Sequence, residues 1–250
     1  MSEQAAQGAE TERVALVIVA HPDDAEFGCA GTVAAWAREG WAVTYVIVTD
    51  ASGGGHDHAT DVGPEARRQI TATRKAEQRR AGEILGLRDV VFLDYPDGRV
   101  QPTLELRRDI VRLVRRYRPQ RVVFQSPERI WNPTYAIGRY HPDHLAVGEA
   151  TLAALYPAAQ NAWDFPELLD EGLRPHKVRE FYIMGAPHQN HVVDTSETFE
   201  IKLAALKAHQ SQLGERFDEL AERLRQWASE TGAKHGFTYA EVFLRAEQQG

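Results

Sequence analysis

Val14-Ala-Leu-Val-Ile-Val-Ala20 is an unbroken apolar run that ends directly on His21-Pro22-Asp23-Asp24. So short and β-branched a run fits a strand buried on both faces, as in a parallel sheet covered by helices on either side. The rest of the chain alternates as such a sheet requires. Further strands are predicted at Val43–Val48, Val90–Leu93, Arg121–Gln125 and Val178–Met184. Helices are predicted at about 31–39 with Gly40 as C-cap, 65–85 stopping at Gly86, 104–117 with Thr103 as N-cap, 142–156, 197–212 and 215–230. The pattern predicts one α/β domain, Rossmann-like with a mostly parallel sheet, over residues 13–250 behind a disordered leader at 1–12. Three stretches interrupt it: a Gly/Asp/His-rich loop at 51–64, an irregular segment up to Tyr140, and a Trp/Pro-containing excursion at 161–176.

Composition removes several function classes. Across 250 residues, 29 basic against 36 acidic side chains leave a formal charge of −7. Neither nucleic acid nor an anionic membrane welcomes that balance. No apolar run is long enough to span a bilayer, and the first ten residues carry no signal-peptide core. Cys29 is the single cysteine, which excludes an internal disulfide and a multi-cysteine zinc site. A cytoplasmic globular protein is expected.

In open α/β sheets, ligands bind beyond the carboxyl ends of the strands. That rule points to the residues after Ala20, Val48, Leu93 and Gln125. After Ala20 stand a histidine and two adjacent carboxylates, a costly group at the end of a buried strand unless something cationic meets it. By itself an Asp-Asp pair is more often a polar turn with an N-cap. A second cluster, His141-Pro142-Asp143-His144, opens a predicted helix at which Pro142 suits the first turn. Two His-containing clusters at strand-to-helix transitions on one edge fit a divalent metal better than two unrelated turns. Imidazole, carboxylate and imidazole suit zinc, with a fourth position left open as in catalytic sites.

These motifs carry a family resemblance. Ala20-His-Pro-Asp-Asp-Ala-Glu-Phe-Gly-Cys-Ala-Gly-Thr32 and His141-Pro-Asp-His144 resemble the two signatures of the PIG-L (LmbE-like) zinc-dependent N-deacetylases, which act on N-acetylglucosamine-containing substrates. Weaker similarities are Arg74-Lys-Ala-Glu77, Ala81-Gly-Glu-Ile-Leu-Gly86, Leu93-Asp-Tyr-Pro-Asp-Gly98, Lys202 with Ala205-Leu206, and His209-Gln-Ser-Gln212. The resemblance implies one zinc held by His21, Asp24 and His144. It implies Asp23 as general base, His141 stabilising the transition state, and Asp143 orienting His141. Arg74 and, less directly, Asp97 would contact an amino-sugar substrate, and homo-oligomers are common among relatives. The chemistry would be amide hydrolysis by activated water, with the leaving amine protonated by Asp23 or His141.

Ala25 separates Asp24 from Glu26 where the family often reads Asp-Asp-Glu, which leaves the role of Glu26 open. The loop with His56 and His58 and the segment around Trp163 are candidate pocket walls. Cys29 reads as a small buried residue, and His56, Asp57 and His58 as a polar loop rather than a second metal site. His188 and His191 are lesser candidates for substrate contact. Arg107, Arg108, Arg112, Arg115, Arg116 and Arg118 read as a solvated helix face. Asp97 also suits a plain Pro-Asp-Gly turn. A dinucleotide site is disfavoured because two carboxylates occupy the place of a pyrophosphate. A magnesium-binding phospho-acceptor domain would not need His21, His141 and His144. A relative that keeps the metal but hydrolyses another amide or hydrates a double bond is the nearer alternative.

Overall fold

β1 (Val14–Val19) lies at the heart of a seven-stranded sheet in the computed structural model, which describes residues 12–56, 58–129 and 140–249. β2 (Ala42–Thr49) and β3 (Asp89–Tyr95) extend the sheet on one side, and β4 (Arg121–Gln125) and β5 (Glu180–Met184) on the other, all parallel. β6 (His191–Asp194) and β7 (Ala240–Glu247) complete the order β3-β2-β1-β4-β5-β7-β6, with β7 antiparallel to both β5 and β6. The sheet is therefore mostly parallel, as expected. Its antiparallel margin is not part of the expected pattern.

Every residue of β1 is buried, and successive side chains feed two different cores. Leu16 and Ile18 pack with α4 (Leu104–Tyr117) and α5 (Pro142–Leu155). Ala15, Val17 and Val19 pack on the other face with α1 (Asp24–Gly28), α2 (Ala30–Arg38) and α3 (Pro64–Leu85). A third cluster joins α7 (Phe199–Lys207) to α9 (Phe217–Ala233). The short α6 (Glu167–Asp170) interrupts the excursion, and α8 (Gln210–Leu213) follows α7. The expected single helix over 197–212 thus breaks at His209, whose ψ of 59° is not helical.

Local signals place most helix ends. The Thr103 side chain accepts from the Leu106 N–H at 3.2 Å, and Gly86 ends α3 at φ 75°. Arg115 departs from the expected solvated face. It is buried, and its guanidinium donates to the carbonyls of Ala158, Ala159, Asn161 and Asp164 at 2.7–3.2 Å. One arginine of the basic run therefore ties down the excursion after α5. The leader expectation and most of the irregular segment before Tyr140 fall on residues 1–11 and 130–139, outside the described residues.

The chain leaves β1 towards β2 and later returns to its other side as β4, so the strand order reverses between them. A crevice opens at the carboxyl ends of strands at such a point. Ala20 and Gln125 meet there, the Ala20 N–H donating to Gln125 Oε1 at 3.0 Å.

Candidate active site

α5 approaches this crevice because Gly148 permits it. A Cβ at Gly148 would lie 2.4 Å from the Gln125 carbonyl oxygen and 2.9 Å from Pro127 N, so only glycine allows this contact without displacement. The N-terminus of α5 thereby reaches the end of β1. His141 caps that helix with its ring, Nδ1 accepting the Asp143 N–H at 3.2 Å, and Pro142 takes the first turn.

Three side chains then converge. His21 Nδ1 is 3.2 Å from His144 Nε2 and 3.4 Å from Asp24 Oδ2, while His144 Nε2 is 3.0 Å from Asp24 Oδ1. Ligand atoms at about 2.0–2.1 Å from a tetrahedral zinc stand roughly 3.3 Å apart. The observed separations match that edge. The second imidazole nitrogen of His21 faces two more carboxylates, Asp143 Oδ2 at 3.2 Å and Asp97 Oδ1 at 3.1 Å. Those acceptors favour the proton on Nε2 and leave Nδ1 free for a cation, the arrangement usual behind metal-binding histidines. His21 can be grouped as metal-binding with His141 and His144 or with Asp97 and Asp143. Nδ1 serves the side on which Asp24 and His144 lie.

The electrostatics ask for positive charge. His21 is buried, which opposes its protonation, yet hydrogen bonds to Asp143, Asp24 and Asp97 push its pKa up to about 11. Burial would raise the Asp24 pKa, but the His144 and His21 rings hold it far below the usual carboxylate range. An imidazolium meets that demand in the metal-free protein, and a divalent ion on the same donors would replace the proton. The donor set fits zinc.

Asp23 and Asp24 point to different partners. Asp23 sits at φ 81°, its N–H donating to Gln78 Oε1 at 3.0 Å. Its carboxylate meets Arg74 Nη2 at 3.2 Å, and the same nitrogen donates to the Pro22 carbonyl at 2.8 Å. Burial drives the Asp23 pKa to about 6; Arg74 restrains the rise and Asp24 adds to it. Gln78 Nε2 in turn donates to Glu26 Oε1 at 2.8 Å, and Glu26 Oε2 lies 3.4 Å from the fully buried His209. Glu26 therefore belongs to a support behind the turn. Gln78 has no sequence signal beyond its place in α3 near Arg74.

Asp143 and Asp97 both meet His21. Asp143 reaches His141 through its backbone, whereas its carboxylate takes His21 and the N–H groups of Gly98 and Val100 at 2.7 and 3.1 Å. Asp97, expected at the substrate, accepts from Gly53 N at 2.9 Å and braces His21. Arg74 is buried against Asp23. His56 and His58 are exposed, and Asp57 lies outside the described residues. Trp163 is 92% exposed and lines no part of the central cavity, which is bounded instead by side chains of α7, α9 and β7. His188 is exposed and His191 packs edge-on to Tyr182. Cys29 is buried, and burial drives its thiol pKa well upward, as suits an unreactive core residue.

Known proteins share this architecture. A diacetylchitobiose deacetylase of Thermococcus kodakarensis is 34% identical over 229 residues, covering 90% of this chain and 80% of its own. A probable N-acetyl-α-D-glucosaminyl L-malate deacetylase 2 of Bacillus anthracis is 32% identical over 225 residues, covering 89% and 91%. The solved N,N′-diacetylchitobiose deacetylase of Pyrococcus horikoshii superposes with a TM-score of 0.82 at 27% identity, covering 95% of this chain and 85% of its own. Residues 16–155, which run from β1 through both histidine clusters to the end of α5, match the PIG-L family, described as GlcNAc-PI de-N-acetylase. With both histidine clusters inside the matched span and a relative 34% identical over 90% of its length, the chain belongs to the PIG-L family.

Proposed function

We propose that the protein is a metal-dependent N-deacetylase that hydrolyses the acetamide of an N-acetylated amino-sugar conjugate, with one zinc per chain held by His21, Asp24 and His144. The observation that carries this reading is the convergence of those three donors at 3.0–3.4 Å while Asp23, next in sequence, is held apart from them. The relatives named deacetylases support the reaction class. Bound zinc supplies a Lewis acid that lowers the pKa of a water and polarises a carbonyl.

The remaining work falls to the chain's own groups. Asp23, with a pKa of about 6, is ionised at neutral pH and basic enough to take a proton from the attacking water. Arg74 keeps that carboxylate in place and ionised. His141, whose Nδ1 is occupied by the Asp143 N–H, is left with Nε2 to donate to the developing oxyanion. The C–N bond breaks as the nitrogen receives the proton that Asp23 took from the water, releasing acetate and the free amine. Asp97 and Asp143 fix the His21 ring.

Elemental analysis of protein purified without added metal or chelator should give close to one zinc per chain, and acetate should be released from N-acetylated amino sugars. His144→Ala should lose metal and activity; Asp23→Asn should keep the metal and lose activity by at least a hundredfold. An active Asp23→Asn protein would remove the base assignment. Failure to take up zinc would remove the site.

A further inference from the structure

The cavity beside the metal donors has a volume of about 550 Å³, within the range of sites for whole small molecules. Asp23, Asp24 and His144 form part of its wall. Much of the remainder is apolar, with Phe27, Met184 and Phe199 from α1, β5 and α7. α9 adds Leu224, Trp227, Ala228 and Thr231, the i, i+3, i+4, i+7 stripe of one helix face. That stripe is incompletely covered by the protein itself, for Trp227 remains 51% exposed.

Charge on this wall is spoken for. Lys202 is the cationic Lys or Arg among the described lining residues, and its ammonium is bound to Glu241 at 2.6 Å and to the Phe27 carbonyl at 2.9 Å. The oxygens of Glu241 also accept from Gly31 N, Thr32 N and the Thr32 hydroxyl at 2.6–3.1 Å, capping α2 from a distant strand. Glu128 adds a further acidic group to the lining. Away from the proposed metal, a carboxylate or phosphate entering here would find no unpaired Lys or Arg among the described lining residues, and would have to shed water against apolar walls.

Resting on the deacetylase reading, we infer that this cavity receives the portion of the substrate beyond the acetylated sugar, and that this portion is uncharged and presents an apolar face. Trp227 is the specificity-determining side chain. Its indole offers a flat surface to an aryl, alkyl or C–H face, and the Leu224–Ala228 side of α9 supports it.

Two readouts keep the inference separable from the reading beneath it. Calorimetric binding to the purified protein should favour an aryl N-acetylglucosaminide over N-acetylglucosamine by at least tenfold and over N-acetylglucosamine 1-phosphate by more. Trp227→Ala, at a half-exposed position that tolerates truncation, should cut the aryl preference at least fivefold with the melting temperature little changed. In acetate release the same preference should appear mainly in KM. Tighter binding of the phosphate, or equal weakening of all three ligands in Trp227→Ala, overturns the inference. Binding with the expected order but no acetate release from any of them overturns the deacetylase reading and leaves the cavity assignment standing.

Discussion

Asp23 occupies a left-handed backbone position that costs a non-glycine residue on the order of 1–2 kcal/mol. That conformation turns Asp23 towards Arg74 while Asp24 turns towards the two imidazoles. Gln78, through the Asp23 N–H and Glu26, is what holds the turn. Gln78→Leu is therefore expected to lower kcat at least tenfold with zinc content unchanged, and Gln78→Glu, which cannot donate to Glu26, to do no better. For the wild-type protein kcat/KM should rise with pH through an apparent pKa near 6, because Asp23, as the proposed base, must be ionised to act. Arg74→Met should move that limb to higher pH, since a cation that favours the carboxylate is gone; a pH–rate profile of each protein reads this directly. His21 gives a second titration. Its raised pKa means the metal-free protein carries a proton there at pH 8, so zinc uptake should release about one proton per chain. Calorimetry in two buffers of different ionisation enthalpy counts it. Without metal, the stability contributed by protonated His21 is complete below about pH 6.5 and is lost as pH rises towards about 11.

At the scale of elements, α5 is the part whose placement the site depends on. Gly148→Ala puts a methyl group against the Gln125 carbonyl and should displace the helix that carries His144. About tenfold weaker zinc binding, measured by chelator competition, is the expected result. Arg115 acts on the neighbouring helix pair. Arg115→Met removes the guanidinium donor from five carbonyls, of which Ala159 keeps the His176 N–H, and should destabilise the fold by about 3 kcal/mol, roughly 6–12 °C in Tm. Thermal melts of the metal-free protein isolate this effect. The elements that sequence predicts well are those with local causes: the apolar strands of the parallel sheet, the Thr103 cap, the Gly86 stop. β6 and β7 escape because they are short or half-polar and owe their pairing to each other and to β5, across a long sequence separation. The single helix expected over 197–212 is broken by packing around His209, buried against Glu26.

At the scale of the molecule, His144 meets Asp24 across more than a hundred residues, so an ion held there as proposed would join the end of β1 to the start of α5. Zinc at about a thousand times its Kd should raise stability by about 4 kcal/mol, or roughly 8–16 °C in Tm. His144→Ala should show almost no such zinc dependence. Among the described residues no helix is long and apolar enough to cross a membrane.

The chain's sequence by itself determined the parallel sheet, its sites beyond the strand ends and the two histidine clusters, because hydrophobic period, caps and strand-end polarity are written within a few residues of where they act. Which imidazole nitrogen of His21 faces Asp24 and His144, that Asp97 and Asp143 brace His21, that Gln78 supports Asp23, and that α9 rather than the Trp163 segment walls the cavity were decided only by tertiary structure. Each is a contact between residues distant in sequence. Its geometry exists only once burial and hydrogen bonding have fixed both partners.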